Sequence, residues 1–296
     1  MKLSVIGQSV VDEINSKEGF FVKPGGIFYS ALTLTQVKEE DDKIFLITNI
    51  SEKDSKYFKD VYNKVDLQYS NKVKKLPKVR LKIFENKERN ETYSDVKQKI
   101  FIPNTINFNE TDGILLNMIS GFDITTEELA KIRKQFNGLI YFDIHSLARG
   151  VDKQNNRVFR QIPEVERWLD NVDIVQCNEN ELLTITKLKN EKEIAEFVLR
   201  MRPEILIITK GEKGATLYKK NEKEIYRKNI PALKIKTKNK VGCGDVFGAT
   251  FFYTYLLTKN ETLALEKANR FAGLFTQYIN VKDFYKLKSD YEKYYD

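Results

Sequence analysis

The chain has 296 residues, of which 41% are hydrophobic and 31% charged, as is typical of a globular protein that buries a large core. No apolar run reaches about 18 residues, so a membrane-spanning helix is not expected. Two cysteines and one histidine argue against a disulfide framework and a His/Cys metal cluster, and they favour a reducing cytoplasm. The net charge of +8 comes from 50 basic and 42 acidic residues that are intermixed, which argues against nucleic acid as a partner.

Short apolar runs alternate with helical patterns along the chain, which predicts parallel βα units and an α/β fold. Strands are predicted at residues 3–6, 43–47, 113–118, 139–143, 172–177 and 204–209. Helices are predicted at residues 27–37, 54–63, 127–136, 179–186, 191–201, 245–257 and 261–279. The tail from residue 281 is expected to dock on the core.

Two segments depart from this rhythm. In residues 77–97, apolar residues alternate with polar ones before a polar turn at 85–90, which predicts a β-hairpin. Residues 10–22 form a second short alternating segment after the first strand. We expect the two segments to form a small lid over the sheet edge where ligands bind, within a single domain that spans 1–296.

The segment 239–251 holds the pattern Gly242-Cys243-Gly244-Asp245 at the start of an apolar run that predicts a helix. Glycine allows a tight turn and close approach of the backbone to a ligand. The first N–H groups of a helix lack intrahelical acceptors and lie at the positive end of its dipole, so they can face an anion. Asp245 then places a fixed base beside that anion, as phosphoryl transfer requires. An ordinary helix start, with an Asp N-cap after loop glycines, is the alternative.

Four further segments accompany this motif in chain order. They are Gly7 followed by Asp12, Gly25-Gly26 before a helix that carries Ser30, Asn178 with Glu181 after a strand, and Thr209 to Gly214 after another strand. With the motif, they resemble the ribokinase-like family of carbohydrate kinases, the phosphofructokinase-B type, over residues 7–273. The resemblance implies a three-layer α/β sandwich with a mainly parallel central sheet and a small β lid.

The resemblance also implies roles for the matching residues. Asp245 would be the catalytic base, and N–H groups of Gly242, Cys243 and Gly244 would form an anion hole for the transferring phosphoryl group. The acceptor would contact Asp12, Gly25, Gly26, Ser30 and Arg149. The nucleotide would contact Thr209, Gly211, Gly214 and Asn269, while Asn178 and Glu181 would hold Mg²⁺ through water. The alternatives are a helix start for Asn178 and Glu181, a β-turn for residues 209–214 and an isolated turn aspartate for Asp12.

Five residues depart from the family pattern. Asn239-Lys240-Val241 stands where the family has Asp-Thr-Thr, and Cys243 replaces an alanine. Ser30 stands where an asparagine often binds the sugar. This last departure argues against simple ribose or fructose specificity.

The expected function is phosphorylation of a hydroxyl of a small sugar or polyol, with ATP and Mg²⁺ and with a monovalent cation as a further candidate cofactor. One alternative is a nucleoside kinase of the adenosine-kinase type, in which Phe20, Phe21 or Tyr29 would stack on the base. Another is a non-catalytic relative that binds a sugar or nucleotide. The expected partners are small molecules rather than nucleic acid or a membrane, and a homodimer through the lid is a candidate assembly.

Overall fold

An eight-stranded sheet forms the centre of the fold. The computed structural model describes residues 1–17, 19–82, 90–95, 97–222 and 224–295. The strands within them are β1 (Lys2–Ile6), β2 (Ser9–Ser16), β3 (Gly19–Gly26), β4 (Lys43–Ile47), β5 (Asn49–Ile50), β6 (Asn71–Lys72), β7 (Lys78–Lys82), β8 (Asn90–Ser94), β9 (Gly113–Asn117), β10 (Leu139–Asp143), β11 (Arg149–Val151), β12 (Arg157–Phe159), β13 (Ile174–Asn178), β14 (Ile205–Thr209), β15 (Ala215–Lys220) and β16 (Ile225–Ile230). The central sheet has the order β16-β15-β14-β13-β10-β9-β1-β4, in which β15 is antiparallel to both of its neighbours, β14 and β16, and all other neighbouring pairs are parallel.

Helices cover both faces of this sheet. They are α1 (Phe28–Val37), α2 (Lys59–Tyr62), α3 (Thr126–Gln135), α4 (Val165–Leu169), α5 (Glu179–Leu182), α6 (Glu191–Leu199), α7 (Cys243–Thr258), α8 (Glu261–Phe275), α9 (Val281–Phe284) and α10 (Leu287–Tyr295). Consecutive strand residues alternate between two apolar clusters, so that Leu115 packs with α1, α7 and α8, and Leu116 with α3, α4 and α6. A parallel sheet needs this cover because both of its faces are apolar. The predicted three-layer α/β architecture is therefore confirmed.

Local sequence sets where the helices begin. The Thr125 hydroxyl accepts a hydrogen bond from the Glu128 N–H at 3.2 Å, and the Glu128 carboxylate accepts one from the Thr125 N–H at 2.6 Å. This capping box fixes the start of α3. Asn190 and Asn260 cap α6 and α8 in a similar way with their side-chain oxygens. None of the described helices combines the length and the apolar character that a membrane crossing requires.

A second, four-stranded sheet with the order β3-β2-β7-β8 stands over one edge of the central sheet, and we call it the lid. The predicted segment 10–22 is an antiparallel hairpin of β2 and β3. The predicted segment 77–97 contains the antiparallel strands β7 and β8, and most of its turn lies outside the described residues. β2 and β7 are parallel neighbours, which joins the two hairpins into one sheet.

Several predicted elements differ from those observed. The predicted helix at 54–63 is a 3₁₀ turn, Ser55–Tyr57, followed by the short α2, because Tyr57 and Phe58 bond to carbonyls three residues back. The predicted helix at 179–186 ends at Leu182, since the Thr184 N–H bonds to the Glu181 carbonyl. The strand pairs β15–β16 and β11–β12 were not predicted. The tail is docked as expected, with Phe284 and Leu287 buried.

Candidate active site

The start of α7 is held in place by a glycine that no other residue could replace without strain. Gly242 precedes the helix with φ at +85°, in the left-handed region. A Cβ at this position would lie 2.6 Å from the ring of Tyr29, which is buried on α1. The backbone can therefore turn tightly against α1 and direct the first N–H groups of α7 away from the core.

Asp245 lies in the first turn of α7, and its carboxylate is held by Asn117. The Asn117 side chain, at the end of β9, donates one hydrogen bond to Asp245 Oδ1 and another to Ser30 Oγ at 2.9 Å. Asn117 and Ser30 are both buried. A hydrogen bond from a neutral amide stabilises the ionised carboxylate and fixes its orientation.

Gln176 ties the α7 turn to the central strands. Its Nε2 donates to Asp143 Oδ2 at 2.7 Å and to the Gly244 carbonyl at 3.1 Å, and its Oε1 accepts from the Tyr141 hydroxyl. A Cβ on Gly248 would lie 2.8 Å from that hydroxyl, so α7 packs closely on the sheet here. The turn at Gly244 is thereby anchored to the ends of two parallel strands.

The start of α7 lies on a cavity of about 1230 Å³ at the carboxyl ends of the strands. At one end, which we call the lid end, alternate residues of the lid face the cavity: Val10, Asp12 and Ile14 on β2, Val79 and Leu81 on β7, and Glu91 and Tyr93 on β8. At the other, the loop end, the cavity is lined by residues 236–242 and Thr209. Asp245 and Gly244 lie on the cavity wall between the lid end and the loop end.

Charged side chains are buried in pairs at the lid end. Arg157 Nη1 lies 2.7 Å from a Glu91 oxygen, and Arg149 Nη1 lies 3.4 Å from the other. The side chains of Glu91 and Arg157 are only 2% and 7% exposed. Arg149 Nη2 also lies 4.0 Å from Glu181, which links β8 of the lid to α5.

Two further side chains in the cavity, Glu181 and His145, have pKa values that are shifted from their usual ones. Burial raises the pKa of Glu181, and the nearby Asp143 carboxylate raises it further. For His145, burial disfavours the charged imidazolium, but the Asp143 carboxylate, 3.0 Å from Nδ1, outweighs burial and raises the pKa. Such perturbed groups in a cleft are typical of a functional site.

Comparison with known proteins relates this cavity to a family. Residues 140–286 match the model of the pfkB family carbohydrate kinases. Just under half of the chain thus resembles that family. A ribokinase from Arabidopsis thaliana is 30% identical over 120 residues, which are 39% of this chain and 31% of the relative. A cytidine kinase from Thermococcus kodakarensis is 35% identical over 104 residues, 33% of this chain and 36% of the relative. The matched segment thus spans about a third of each relative's length.

Solved structures extend the likeness to nearly the whole chain. A pyrophosphate-dependent kinase in the ribokinase family, in a sulfate complex, superposes with a TM-score of 0.79 at 16% identity over 93% of this chain and 95% of that one. An Arabidopsis thaliana ribokinase complexed with ribose and ATP gives 0.73 at 16% identity over 97% and 98%. At these identities the likeness establishes the fold, so the chain has the ribokinase fold and the predicted fold class is confirmed.

The structure brings most of the site residues predicted from the sequence to the cavity described above. Those that line it are Asp245, Gly242, Gly244, Asp12, Gly26, Arg149, Thr209, Asn178 and Glu181. Cys243 is part of the α7 turn, and a Cβ on Gly25 would lie 2.3 Å from the Asp12 carboxylate, so Gly25 leaves room for that side chain. Ser30 is buried and contacts Asn117.

Asn178 and Glu181 form a capping box at the start of α5. Asn178 Oδ1 accepts from the Glu181 N–H at 2.9 Å, and Glu181 Oε2 accepts from the Asn178 N–H at 2.9 Å. Both side chains also line the cavity. No group of three or more acidic, histidine or cysteine side chains that could hold a metal occurs in the part of the chain that the structure describes. The pair therefore fits a hydrated Mg²⁺ contacted through water, and not a cation enclosed by protein ligands.

The remaining nucleotide candidates lie beyond the loop end. Asn269, on α8, is buried, and its amide donates to the Pro231 carbonyl at 2.8 Å. A Cβ on Gly214 would lie 1.9 Å from the Ile230 carbonyl oxygen, which places Gly214 against the end of β16. Gly211 begins an exposed 3₁₀ turn with φ at +55°. Of the four candidates, only Thr209 reaches the cavity wall.

Sequence reasoning missed four residues that shape the site. Asn117 and Gln176 are polar residues at the end of, or within, apolar strands, and that signal could have identified them. Glu91 belongs to a polar hairpin and Arg157 to the short, largely exposed strand β12, and neither gives such a signal. Their pairing depends on contact between segments that lie 66 residues apart in sequence.

Proposed function

We propose that the chain is an Mg²⁺-dependent phosphotransferase that transfers a phosphoryl group from ATP to a hydroxyl of a small sugar, polyol or nucleoside. The observation that carries this proposal is the position of Asp245. Its carboxylate stands in the first turn of α7, on the cavity wall, next to a glycine turn and with its orientation fixed by Asn117. A base and an anion-binding turn are then adjacent, as in-line transfer needs.

The residues of the site divide the chemistry between them. Asp245 would accept the proton of the acceptor hydroxyl as the oxygen of that hydroxyl attacks the terminal phosphorus of ATP. The bond from that phosphorus to the bridging oxygen breaks, and ADP leaves. The N–H groups at the Gly242–Gly244 turn would face the oxygens of the transferring group, whose charge they stabilise in the transition state. Asp12 would accept hydrogen bonds from acceptor hydroxyls.

Mg²⁺ would be held through water by Asn178 and Glu181 and would neutralise part of the phosphate charge. A Glu181→Gln variant removes the charge with little change of volume, so a raised Mg²⁺ requirement with an unaltered acceptor KM is expected. If activity depends on the Mg²⁺ concentration in the same way as in wild type, Asn178 and Glu181 only cap helix α5. A monovalent cation stays a prediction, which activity in potassium and in choline buffers would test.

A nucleoside acceptor is the second candidate, and the apolar roof of the lid end favours it. Val10, Ile14, Val79 and Leu81 face the cavity there, beside Phe21. A sugar or polyol offers little apolar surface to such a roof, whereas a base does. Of the aromatic residues predicted to stack on a base, Phe21 and Tyr29 line the cavity, and Phe20 is 65% exposed. The cytidine kinase relative is consistent with this candidate.

An acceptor screen with Mg–ATP tests the proposal. Sugars, polyols and nucleosides are assayed for phosphorylated product, and the best acceptor is then used with Asp245→Asn. That variant should keep its affinity for ATP and lose turnover by about 10²–10⁴-fold. The exposed Asp170→Asn serves as the control and should keep full activity. Turnover of Asp245→Asn within a few-fold of wild type would overturn the assignment of the base, and product from no acceptor would overturn the function.

The assembly and organisation are part of the same proposal. The chain would act as one domain whose lid closes on the acceptor, and hydrogen exchange in residues 10–22 and 77–82 should slow when acceptor binds. The edge strand β3 carries the exposed Phe20 and Val22, which favours a homodimer through the lid. If wild type sediments as a dimer and Phe20→Asp as a monomer, the lid is the dimer interface. A cytoplasmic location agrees with two cysteines that form no disulfide.

A further inference from the structure

The loop end of the cavity is lined by a row of lysines. Lys236, Lys238 and Lys240 alternate along the segment before α7, and all three are exposed on the cavity wall. Lys240 lies 4.0 Å from Glu212 in a pair that is open to solvent, whereas Lys236 and Lys238 have no carboxylate partner among the described residues. Three ammonium groups thus face the space in front of the Gly242 turn. Lysine is a common ligand of phosphate, for which it acts as a point charge.

The backbone that carries these lysines is bound along its length to the end of α8. The N–H groups of Lys238 and Asn239 donate to the Thr276 carbonyl at 3.0 and 2.9 Å. Gln277 Nε2 donates to the Lys236 carbonyl at 2.6 Å, and Asn239 Nδ2 donates to the Tyr278 carbonyl at 3.3 Å. The lysine side chains therefore project from an ordered support.

The same docking closes the space between this loop and α8. Leu233 packs on Gly273, where an added Cβ would lie 2.8 Å from a Leu233 methyl carbon. The Asn269 amide, one turn earlier on α8, is bonded to the Pro231 carbonyl. A planar base needs apolar surface on its faces and free polar groups at its edge, and here both are already occupied by the chain itself.

From these contacts we propose that the donor site recognises the phosphoanhydride chain and not the base, so that inorganic pyrophosphate serves as a phosphoryl donor as well as ATP. The inference rests on the proposed phosphotransferase function and specifies its donor. The lysines and the α7 turn would bind any di- or triphosphate chain. The nucleoside of ATP would extend past the loop into solvent and contribute little to binding.

The reaction balances with either donor. With pyrophosphate, the acceptor oxygen forms a bond to one phosphorus, and the bond from that phosphorus to the bridging oxygen breaks. Orthophosphate leaves with the electron pair of that bond, and Asp245 takes the proton of the acceptor hydroxyl. No oxidant or further reactant is required.

Binding measured without an acceptor tests the inference separately from catalysis. Isothermal titration with Mg²⁺ present gives Kd values for ATP, GTP and pyrophosphate, with adenosine as a base-only probe. We expect the three phosphate compounds to bind within about tenfold of one another and saturating adenosine to leave the Kd of ATP unchanged. The double variant Lys236→Ala/Lys238→Ala should weaken all three by roughly tenfold or more, as for the loss of charge-assisted contacts.

The control is Lys234→Ala, an exposed lysine of the same loop that does not line the cavity, and it should change no Kd. ATP binding more than about tenfold tighter than GTP and pyrophosphate would overturn the inference while leaving the kinase function intact. No binding of pyrophosphate, or equal weakening by Lys234→Ala and the double variant, would also overturn it. Equal binding of all three donors without product from any acceptor would instead overturn the proposed function.

Discussion

At the lid end of the cavity charged side chains are buried in pairs, whereas at the loop end they stand in solvent. Glu91 and Arg157 have lost their water and depend on each other. Lys236 and Lys238 keep their water and would act on an anionic ligand through their electrostatic field. A buried pair fixes geometry, because a displaced partner leaves an uncompensated charge in a medium of low dielectric constant. The lid end is thus suited to selecting the shape of an acceptor, and the loop end to attracting charge of any shape.

Breaking the buried pair should have the largest effect. Arg157→Met removes the nearer of the two arginines that pair with Glu91 and should lower the free energy of unfolding by about 3–5 kcal/mol, as is usual when one member of a buried pair is removed. Arg167→Met is the matched control, because Arg167 pairs with Glu127 and Glu164 at the surface, where such a pair contributes about 0–1 kcal/mol. Urea denaturation measures both. Equal losses in the two variants would contradict the comparison.

The contact between Asn117 and Asp245 lies between the two ends. Asn117→Leu removes a hydrogen bond to a charged group, worth about 1.5–3 kcal/mol, so kcat should fall by about tenfold to a hundredfold. The acid limb of the pH–rate profile should also move to higher pH, because the ionised carboxylate loses a donor.

Ser30→Ala is the matched control for Asn117→Leu. It removes the other hydrogen bond of Asn117 and leaves the one to Asp245. Its kcat and pH profile should stay close to those of wild type, and the role of Ser30 as a candidate acceptor contact is read separately from the acceptor KM. A lower kcat for Asn117→Leu with an unmoved pH profile would indicate a structural role for Asn117 alone.

Ionic strength should change ligand binding at the loop end and leave binding at the lid end unchanged, so it tests the comparison without any substitution. Screening acts on exposed charges beyond a Debye length of about 10 Å at 0.1 M salt and acts little on buried pairs. Raising the salt from about 0.05 to about 0.5 M should therefore increase the Kd of pyrophosphate several-fold. The KM of a neutral acceptor should stay the same. Equal salt dependence for donor and acceptor would remove the distinction.

The smallest expected effect is the pH dependence that His145 gives to stability. Because Asp143 raises the folded-state pKa of His145 above the usual 6.5, the stabilisation is complete below about pH 6.5 and is lost as the pH rises through the folded value. The free energy of unfolding of wild type, minus that of His145→Gln, should therefore decrease as the pH rises above 6.5. Urea titrations between about pH 5.5 and 9 measure this difference. A difference that grows with pH would contradict it.

The sequence was sufficient for features that depend on local pattern. Strands β4 and β10 coincide with the predicted residues 43–47 and 139–143, because short apolar runs between turns specify buried parallel strands. Asp245 could be predicted as a candidate base because glycines and a helix start are adjacent in sequence, and its place on the cavity wall agrees with that prediction. Asn117 and the Glu91–Arg157 pair could not be placed, since strand ends and lid residues meet only after the chain has folded. The two-part lid sheet is a similar case, because nothing local specifies that β2 pairs with β7.

The two edges of the central sheet bear on how the protein behaves at high concentration. At one edge, β4 is covered by Asp66, whose backbone exchanges hydrogen bonds with Ile44 and Leu46 at 2.8 and 2.9 Å. At the other, the edge strand β16 carries the basic residues Arg227 and Lys228. An uncovered strand edge is a template on which a second molecule can add and begin an aggregate, and backbone cover or like charges prevent that addition. We therefore expect the central sheet to resist edge-to-edge aggregation when the protein is concentrated or newly synthesised.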